Sequence, residues 1–198
     1  MIHLIKTRKA QFNKLLSSIS GAGKQFPPVE FSAKHGIWKF DMPQEKDTVT
    51  IADIAKDKPL LITYFAPEWG EYSTQQLWLL QKSVRRLTEL GVKILTLTNI
   101  NREQIEELCL REKLKFSLYF DENQHLAKSI GIFFEQTPCT HFYAGISENI
   151  PLPASFLVLP NGLIIHHFID IELKSYLSYK EIEVFVNNYK NFEFFHKY

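Results

Sequence analysis

The chain is poor in cysteine: Cys109 and Cys139 are the only two in 198 residues. A small secreted scaffold stapled by disulfides is excluded on that count, and a reducing cytoplasm is the expected compartment. Long apolar runs are missing too, and none reaches the roughly 20 residues of a transmembrane helix. Charge of one sign is not in excess, since the formal net charge is +1, so nothing global points to nucleic acid. Phosphate-loop and metal signatures are also absent. "GAGK" at 21–24 lacks the length and the preceding strand of a phosphate-binding loop. His166 and His167 are neighbours on a predicted strand, so they point to opposite faces and cannot chelate together. Asp121, Glu122 and Asn123 read as a helix cap, with no calcium-loop spacing after them. No metal and no cofactor is expected.

Acidic residues are absent from the first 29 positions, where Lys6, Arg8, Lys9, Lys14 and Lys24 stand unopposed before Glu30. Residues 1–26 are therefore set apart as a basic helical leader, and residues 27–198 as one domain. The leader has no apolar core of a secretory signal. Ile5, Phe12, Leu16 and Ile19 share a helical face, which predicts an amphipathic helix lying on the domain. A transit peptide and a membrane-surface helix are the other readings of that pattern.

What is present is a layered α/β pattern. "GAGKQFPP" breaks the leader helix, and extended pieces are predicted near 29–32 and 37–41. Thr50 and Asp53 have the spacing of a capping box before a short helical turn. "PLLITYF" reads as a buried strand, 74–90 as a long helix closed by Gly91, and "VKILTLTNI" as a second strand. "NREQIEELCLREKL" is an amphipathic helix with Asn101 at its N-cap, followed by the strand "FSLYF" and a short helix stopped at Gly131. "ASFLVLPNGLIIHHFID" is two apolar runs about Asn161-Gly162, a hairpin signal, and a last helix is predicted at about 179–189. The order implies a thioredoxin-like fold, a central mixed sheet flanked by helices with an N-terminal extension. Residues 133–150 are an irregular excursion before the hairpin.

Four stretches carry a family likeness: "PLLITYFAPEWGEYSTQQL", "GVKILTLTNINREQIEELCLREKLKFSLYFDENQHLAKSIGI", "IPLPASFLVLPNGLIIHHFID" and "DIELKSYLSYKEIEVFV". Together they resemble the peroxiredoxin-like branch of the thioredoxin superfamily, the alkyl hydroperoxide reductase/thiol-specific antioxidant group, over roughly residues 27–190. The resemblance implies an antioxidant oxidoreductase whose site is the turn after the first core strand. With Trp69 on the family's Trp, Gly70 and Ser73 occupy the two cysteine positions of Cys-x-x-Cys. In the Thr-x-x-Cys arrangement of peroxiredoxins, Gly70 falls on the Thr and Ser73 on the Cys. Pro153 stands where many peroxiredoxins have Arg, and as the thioredoxin-type proline it implies a cis peptide after Leu152.

Peroxide reduction needs an atom that is itself oxidised, and a thiolate does this because it ionises near neutral pH and forms sulfenic acid reversibly. A serine hydroxyl does neither, so thiol peroxidase activity at Ser73 is not expected. "STQQ" from Ser73 to Gln76 has the capping-box form S-x-x-Q, which predicts that Ser73 opens the long helix. A serine nucleophile would need a base, and nothing marks His35, His141 or His166 as one. Glu68 and Glu71 flank the turn and disfavour a thiolate there. Cys109 is expected in the core of its helix. Cys139 is expected in a loop near His141.

Two functions from different classes follow. The first is a catalytically degenerate peroxiredoxin-like protein that acts as a binding or regulatory module. It would hold a protein or a small apolar ligand in a groove among the Trp69 turn, the Pro153 loop and the 133–150 excursion. Trp69, Tyr72, Phe133, Phe134, Phe142 and Tyr143 are the aromatic candidates to line it, although for any single one of them core filling is the expected role. The second is an oxidoreductase that uses Cys139 or Cys109 instead. A homodimer is compatible with both, and no nucleic-acid partner is expected.

Overall fold

The structure is a computed structural model that describes residues 19–40, 46–135 and 146–196, with side chains through residue 191. The leader helix before residue 19 and most of the 133–150 excursion, with Cys139, His141, Phe142 and Tyr143, lie outside the described residues.

The chain opens with β1 (Glu30–Ser32), β2 (Gly36–Ile37), β3 (Thr48–Thr50) and α1 (Ile51–Ala55). Then come β4 (Leu60–Phe65), the long helix α2 (Glu71–Glu89), β5 (Lys93–Thr98), α3 (Arg102–Glu112), β6 (Ser117–Phe120) and the short helix α4 (His125–Ile130). After the excursion, β7 (Ala154–Val158) and β8 (Ile164–Ile169) form the hairpin, and α5 (Tyr179–His196) ends the fold. The expected β1 and β2 are there in shorter form. Residues 38–40 leave the strand because the Trp38 ring folds back, its indole N–H donating to the Ala33 carbonyl at 2.9 Å. β3 is an element the sequence did not announce. It is three residues long and exists by pairing antiparallel with β1.

The six-stranded sheet runs β2-β6-β5-β4-β7-β8. β4, β5 and β6 are parallel, while β7 runs antiparallel to β4 and β8 antiparallel to β7. Both faces are covered. Leu60, Ile62 and Tyr64 of β4 face a cluster built from α1, α4 and the β1–β3 ribbon, with Phe31, Ile54 and Leu126 at its centre. Leu61 and Phe65 face α2, α3 and α5 through Leu80, Ile105 and Ile182. Every residue of β4 is buried, which is why it reads as a continuous apolar run and not as an alternation.

Local signals fix the ends of several elements. Thr50 and Asp53 make the expected capping box, and Asn101 pairs with Gln104 in a second one. Gly131 closes α4 in the left-handed region at φ 87°. Asp121 caps that helix from four residues upstream, its two carboxylate oxygens accepting the Leu126 and Ala127 N–H groups at 2.8 and 2.9 Å. Residues 19–26 lie against the domain. Ile19 and Phe26 are buried, and Gly23 and Phe26 donate to the carbonyls of Ile164 and Gly162.

Two outcomes follow for stability. Asn101→Ala should cost about 1 kcal/mol in urea unfolding, the usual worth of an N-cap. Asp53 is held down at about 2, first by the Lys46 ammonium and then by the Thr50 N–H and hydroxyl. A depressed carboxylate adds stability above its ordinary pKa of 3.8 and loses it as pH falls toward about 2. The urea midpoints of the wild type and Asp53→Asn should therefore differ at pH 6 and converge across that interval.

Candidate functional site

β4 delivers the chain to the C-terminal edge of the sheet, where Ala66 is still extended and Pro67–Trp69 make one 3-10 turn. The next residue adopts φ 62°, ψ −129°, a conformation from which a Cβ is all but excluded, and that residue is Gly70. A Cβ there would meet nothing within 4 Å, so the requirement for glycine is backbone conformation and not space. Gly70 N–H donates to the Pro67 carbonyl at 2.9 Å, and α2 starts at Glu71.

This start corrects the capping reading of Ser73. The helix begins three residues earlier than the pattern predicted, its N-cap is Gly70, and no side chain caps it. Ser73 lies inside the first turn, 3% exposed, and its hydroxyl donates back to the Gly70 carbonyl at 2.7 Å. Gln76, the expected second half of the box, points inward instead. Its amide donates to the Tyr64 carbonyl at 3.1 Å and to the Thr63 hydroxyl at 3.4 Å, and Ser155 donates to that same hydroxyl at 2.9 Å. Of the polar residues of "STQQ", Gln76 thus ties the helix to strand β4, whose Thr63 hydroxyl is bonded in turn to Ser155 of β7. A glycine turn had already set where the helix begins, and the spacing alone could not reveal that.

Trp69 and Tyr72 fill the core. Both are buried, at 4% and 5% exposure, and neither offers an aromatic surface. Trp69 packs edge-on to Tyr72 and donates its indole N–H to the Pro151 carbonyl at 3.2 Å. Tyr72 stacks on Tyr176, centroids 4.8 Å apart, and donates its hydroxyl to the Ser175 carbonyl at 2.8 Å. Burial and the nearby Asp170 carboxylate push its phenol far up. Phe133 and Phe134 are half-buried and pack against the same core. The turn and the Pro153 segment do meet, through Trp69. The Leu152–Pro153 peptide, however, is trans, since no cis bond occurs among the described residues. In that form Leu152 N–H donates to the Ile132 carbonyl and Pro153 C=O accepts from Asp170 N–H. The intrinsic preference of X–Pro bonds for trans is thereby met without loss of backbone bonds.

The surroundings are acidic. Glu68 accepts a hydrogen bond from the Asn99 amide at 2.9 Å. Burial, then the Asp121 and Glu68 carboxylates, push the Tyr64 phenol well up. Burial also raises Asp121, against the two helix N–H groups that favour its charge. Cys109 is buried on α3, and burial pushes its thiol up. His35 packs against Tyr119 and Phe120, and His166 against Phe185, with burial lowering the His166 pKa. Ser73 bonds to neither, so no serine–histidine pair forms among the described residues. Nor, among them, can any group of three His, Cys, Asp or Glu side chains hold a metal.

The open space lies on the other side of the turn. A groove of about 610 Å³ runs between α2 and α3, lined by Pro67, Gly70, Ser73, Leu77, Trp78 and Leu108 among others. Gln81 holds its far end by a two-way amide bridge, donating to the Lys113 carbonyl and accepting from Lys115 N–H. Trp78 is 48% exposed, with the Lys82 ammonium 3.6 Å from a ring centroid. Sequence reasoning missed Trp78, although its phase gives it away. Ser73, Gln76, Leu77, Leu80, Val84 and Leu87 form the buried stripe of α2, and position 78 falls off it.

A mixed sheet with helices on both faces, and a strand–turn–helix at its edge, is the thioredoxin-like architecture of peroxiredoxins. Solved structures agree on the fold. Plasmodium vivax 2-Cys peroxiredoxin in its reduced form superposes with a TM-score of 0.64 at 15% identity, covering 88% of this chain and 84% of that one. Mycobacterium tuberculosis AhpC gives 0.63 at 15%, covering 87% and 94%. Among curated proteins, Peroxiredoxin Bcp of Escherichia coli strain K12 is 26% identical over 140 residues, 70% of this chain and 85% of Bcp. Residues 22–167 match the AhpC/TSA family, and the chain belongs to it. No helix among the described residues is long and apolar enough to cross a membrane.

Ser73→Ala removes one hydrogen bond whose acceptor keeps backbone donors, so it should cost about 1 kcal/mol or less. Gln76→Ala strips a buried amide and leaves Tyr64 C=O without that donor, which should cost about 2–3 kcal/mol. Urea midpoints for the two variants check the order, and a larger loss at Ser73 would refute this account.

Proposed function

We propose that this chain is a redox-inactive member of its family, working as a binding or regulatory module and not as a thiol peroxidase. The observation that carries the reading is Ser73, which stands at the start of α2 with its hydroxyl spent on the Gly70 carbonyl. Oxygen at that position cannot be taken to a sulfenic acid, and it cannot form a disulfide. Glu68 lies in the turn itself and its carboxylate helps to raise the Tyr64 phenol, so it too disfavours a further anion nearby. Cys109 is a poor substitute, since a buried thiol with a raised pKa supplies little thiolate. Cys139 carries the alternative reading, an oxidoreductase with a displaced thiol.

The groove between α2 and α3 is the place for a small apolar ligand. Its volume lies within the range of small-molecule sites, and Trp78 supplies an exposed aromatic wall beside an apolar floor.

Two measurements test the reading. The pure chain, mixed with hydrogen peroxide and a thiol reductant, should consume no peroxide above the reductant's own background, and Ser73 should gain no mass. Turnover abolished by Cys139→Ser would establish the displaced-thiol enzyme instead. An apolar fluorescent probe such as anilinonaphthalene sulfonate should bind the native chain and lose on the order of tenfold in affinity in Trp78→Ala. Equal binding by both would remove the groove from the reading.

A further inference from the structure

The edge of the sheet opposite the Trp69 turn carries a concentration of positive charge. β4 and β5 run parallel with Leu60 beside Lys93, so both strands begin there. The segments leading into β4 and β6 bring Lys58 and Lys115 to the same place, and Lys39 arrives from the segment after β2. These four lysines line a pocket of about 150 Å³. Lys190 of α5 reaches its rim, with Nζ 4.0 Å from where a Cβ on Gly91 would stand. Among the described residues, no acidic side chain and no arginine lines this pocket.

The backbone places each of the four. The N–H groups of Lys58 and Lys93 donate to the carbonyls of Ala55 and Pro59 at 3.0 and 2.9 Å. Those of Lys39 and Lys115 donate to the Ser117 hydroxyl and the Gln81 amide oxygen at 2.8 and 3.1 Å. Lys93 is held at its far end too. Its ammonium donates to the Ile54 carbonyl at 2.6 Å and lies 5.2 Å from the Phe40 ring centroid. Lys39, Lys58 and Lys115 make no ion pair among the described residues. On a chain of net charge +1, gathering these ammoniums without counter-charge is unfavourable by self-repulsion, and a bound anion would relieve it. A helix C-terminus such as that of α2 also favours cations, but only within its last turn, and it needs no convergence from five segments.

We propose that this lysine pocket is an anion site that takes a diphosphate group or a pair of neighbouring phosphates. Ammonium groups recognise phosphate oxygens as point charges, whereas a planar carboxylate is better matched by the arginine fork, which is missing here. The volume is well below the roughly 300–1,000 Å³ of sites that enclose a whole ligand, so a compact charged group enters and the remainder of its molecule stays outside. The concave shape also differs from a nucleic-acid track, which needs a basic groove running along the backbone. The pocket lies at the far edge of the sheet from Ser73, so anion binding and loss of redox chemistry stand or fall separately.

Isothermal titration of the full chain with sodium diphosphate in metal-free buffer tests the site. At about 0.1 M salt, where exposed charges more than roughly 10 Å apart are screened, one saturable site is expected. A hundredfold excess over Kd should raise the thermal midpoint by roughly 5–10 °C. Lys58→Gln/Lys115→Gln should weaken binding at least on the order of tenfold, the range for lost charged hydrogen bonds, with the unliganded midpoint unchanged or higher. Lys56→Gln/Lys113→Gln removes the same charge from exposed lysines that do not line the pocket, and should weaken binding less than about twofold. No saturable site, or equal weakening by both pairs, would overturn the proposal. So would binding of duplex DNA by a chain that takes up no diphosphate. Flotation with phosphoinositide vesicles separates the two sources of such a group. No flotation assigns it to a soluble ligand, and flotation that diphosphate competes away assigns it to a lipid headgroup. Flotation that diphosphate cannot compete would remove the pocket from the explanation.

Discussion

The rest of the molecule depends on strand β4 being buried along its whole length. It pairs with β5 on one side and β7 on the other, so neither backbone edge is open to solvent or free to slip. Its side chains alternate between the two cores, and both cores would lose their centre if the register moved by one residue. Position 63 holds the one polar side chain of the strand apart from Tyr64. Its hydroxyl is the hub where Ser155 of β7 and Gln76 of α2 meet. A buried hydroxyl is costly when unsatisfied and specific when satisfied, so Thr63 helps fix where α2 begins relative to the sheet.

The site inherits its geometry from that strand and its chemistry from the helix that follows. A helix N-terminus favours negative charge, which is what makes a thiolate reactive at this place in active relatives of the fold. Here the dipole still points at position 73, but a neutral hydroxyl sits there and donates to a backbone carbonyl. Glu71 is the acidic residue of the first turn. The aromatic residues around the turn have been drawn into packing, with Trp69 and Tyr72 buried on the side of α1 and α4. The open apolar wall is on the α3 side, at Trp78.

Much of this was legible from local pattern. The order of strands and helices, the Asn161-Gly162 hairpin, the Thr50–Asp53 box, the Asn101 cap and the Gly131 stop each depend on a few neighbouring residues. So did the reading of Cys109 as a core thiol, since α3 carries its apolar face at helical spacing. The short strand β3 was not legible, because three residues acquire strand character only from the partner they pair with. The reading of Ser73 as a cap failed for a related reason. S-x-x-Q describes a residue facing its own helix start, whereas Gln76 found better partners across the sheet, 12 and 13 positions away in sequence.

The amino-acid order alone therefore settles what position 73 cannot do, because the lack of sulfur there is a matter of composition that no fold can repair. It also settles the architecture, since apolar periodicity and turn residues are local properties that survive without coordinates. The direction in which each aromatic side chain faces was left to the folded chain. Trp69, Tyr72 and Trp78 lie within ten residues of one another and have similar apolar character. Which two are buried and which one faces solvent follows from Gly70's turn angle, the phase of α2 and the carbonyls at Pro151 and Ser175. Two of those four constraints, the carbonyls, come from parts of the chain more than 80 residues away, and that distance is why they could not be read beforehand.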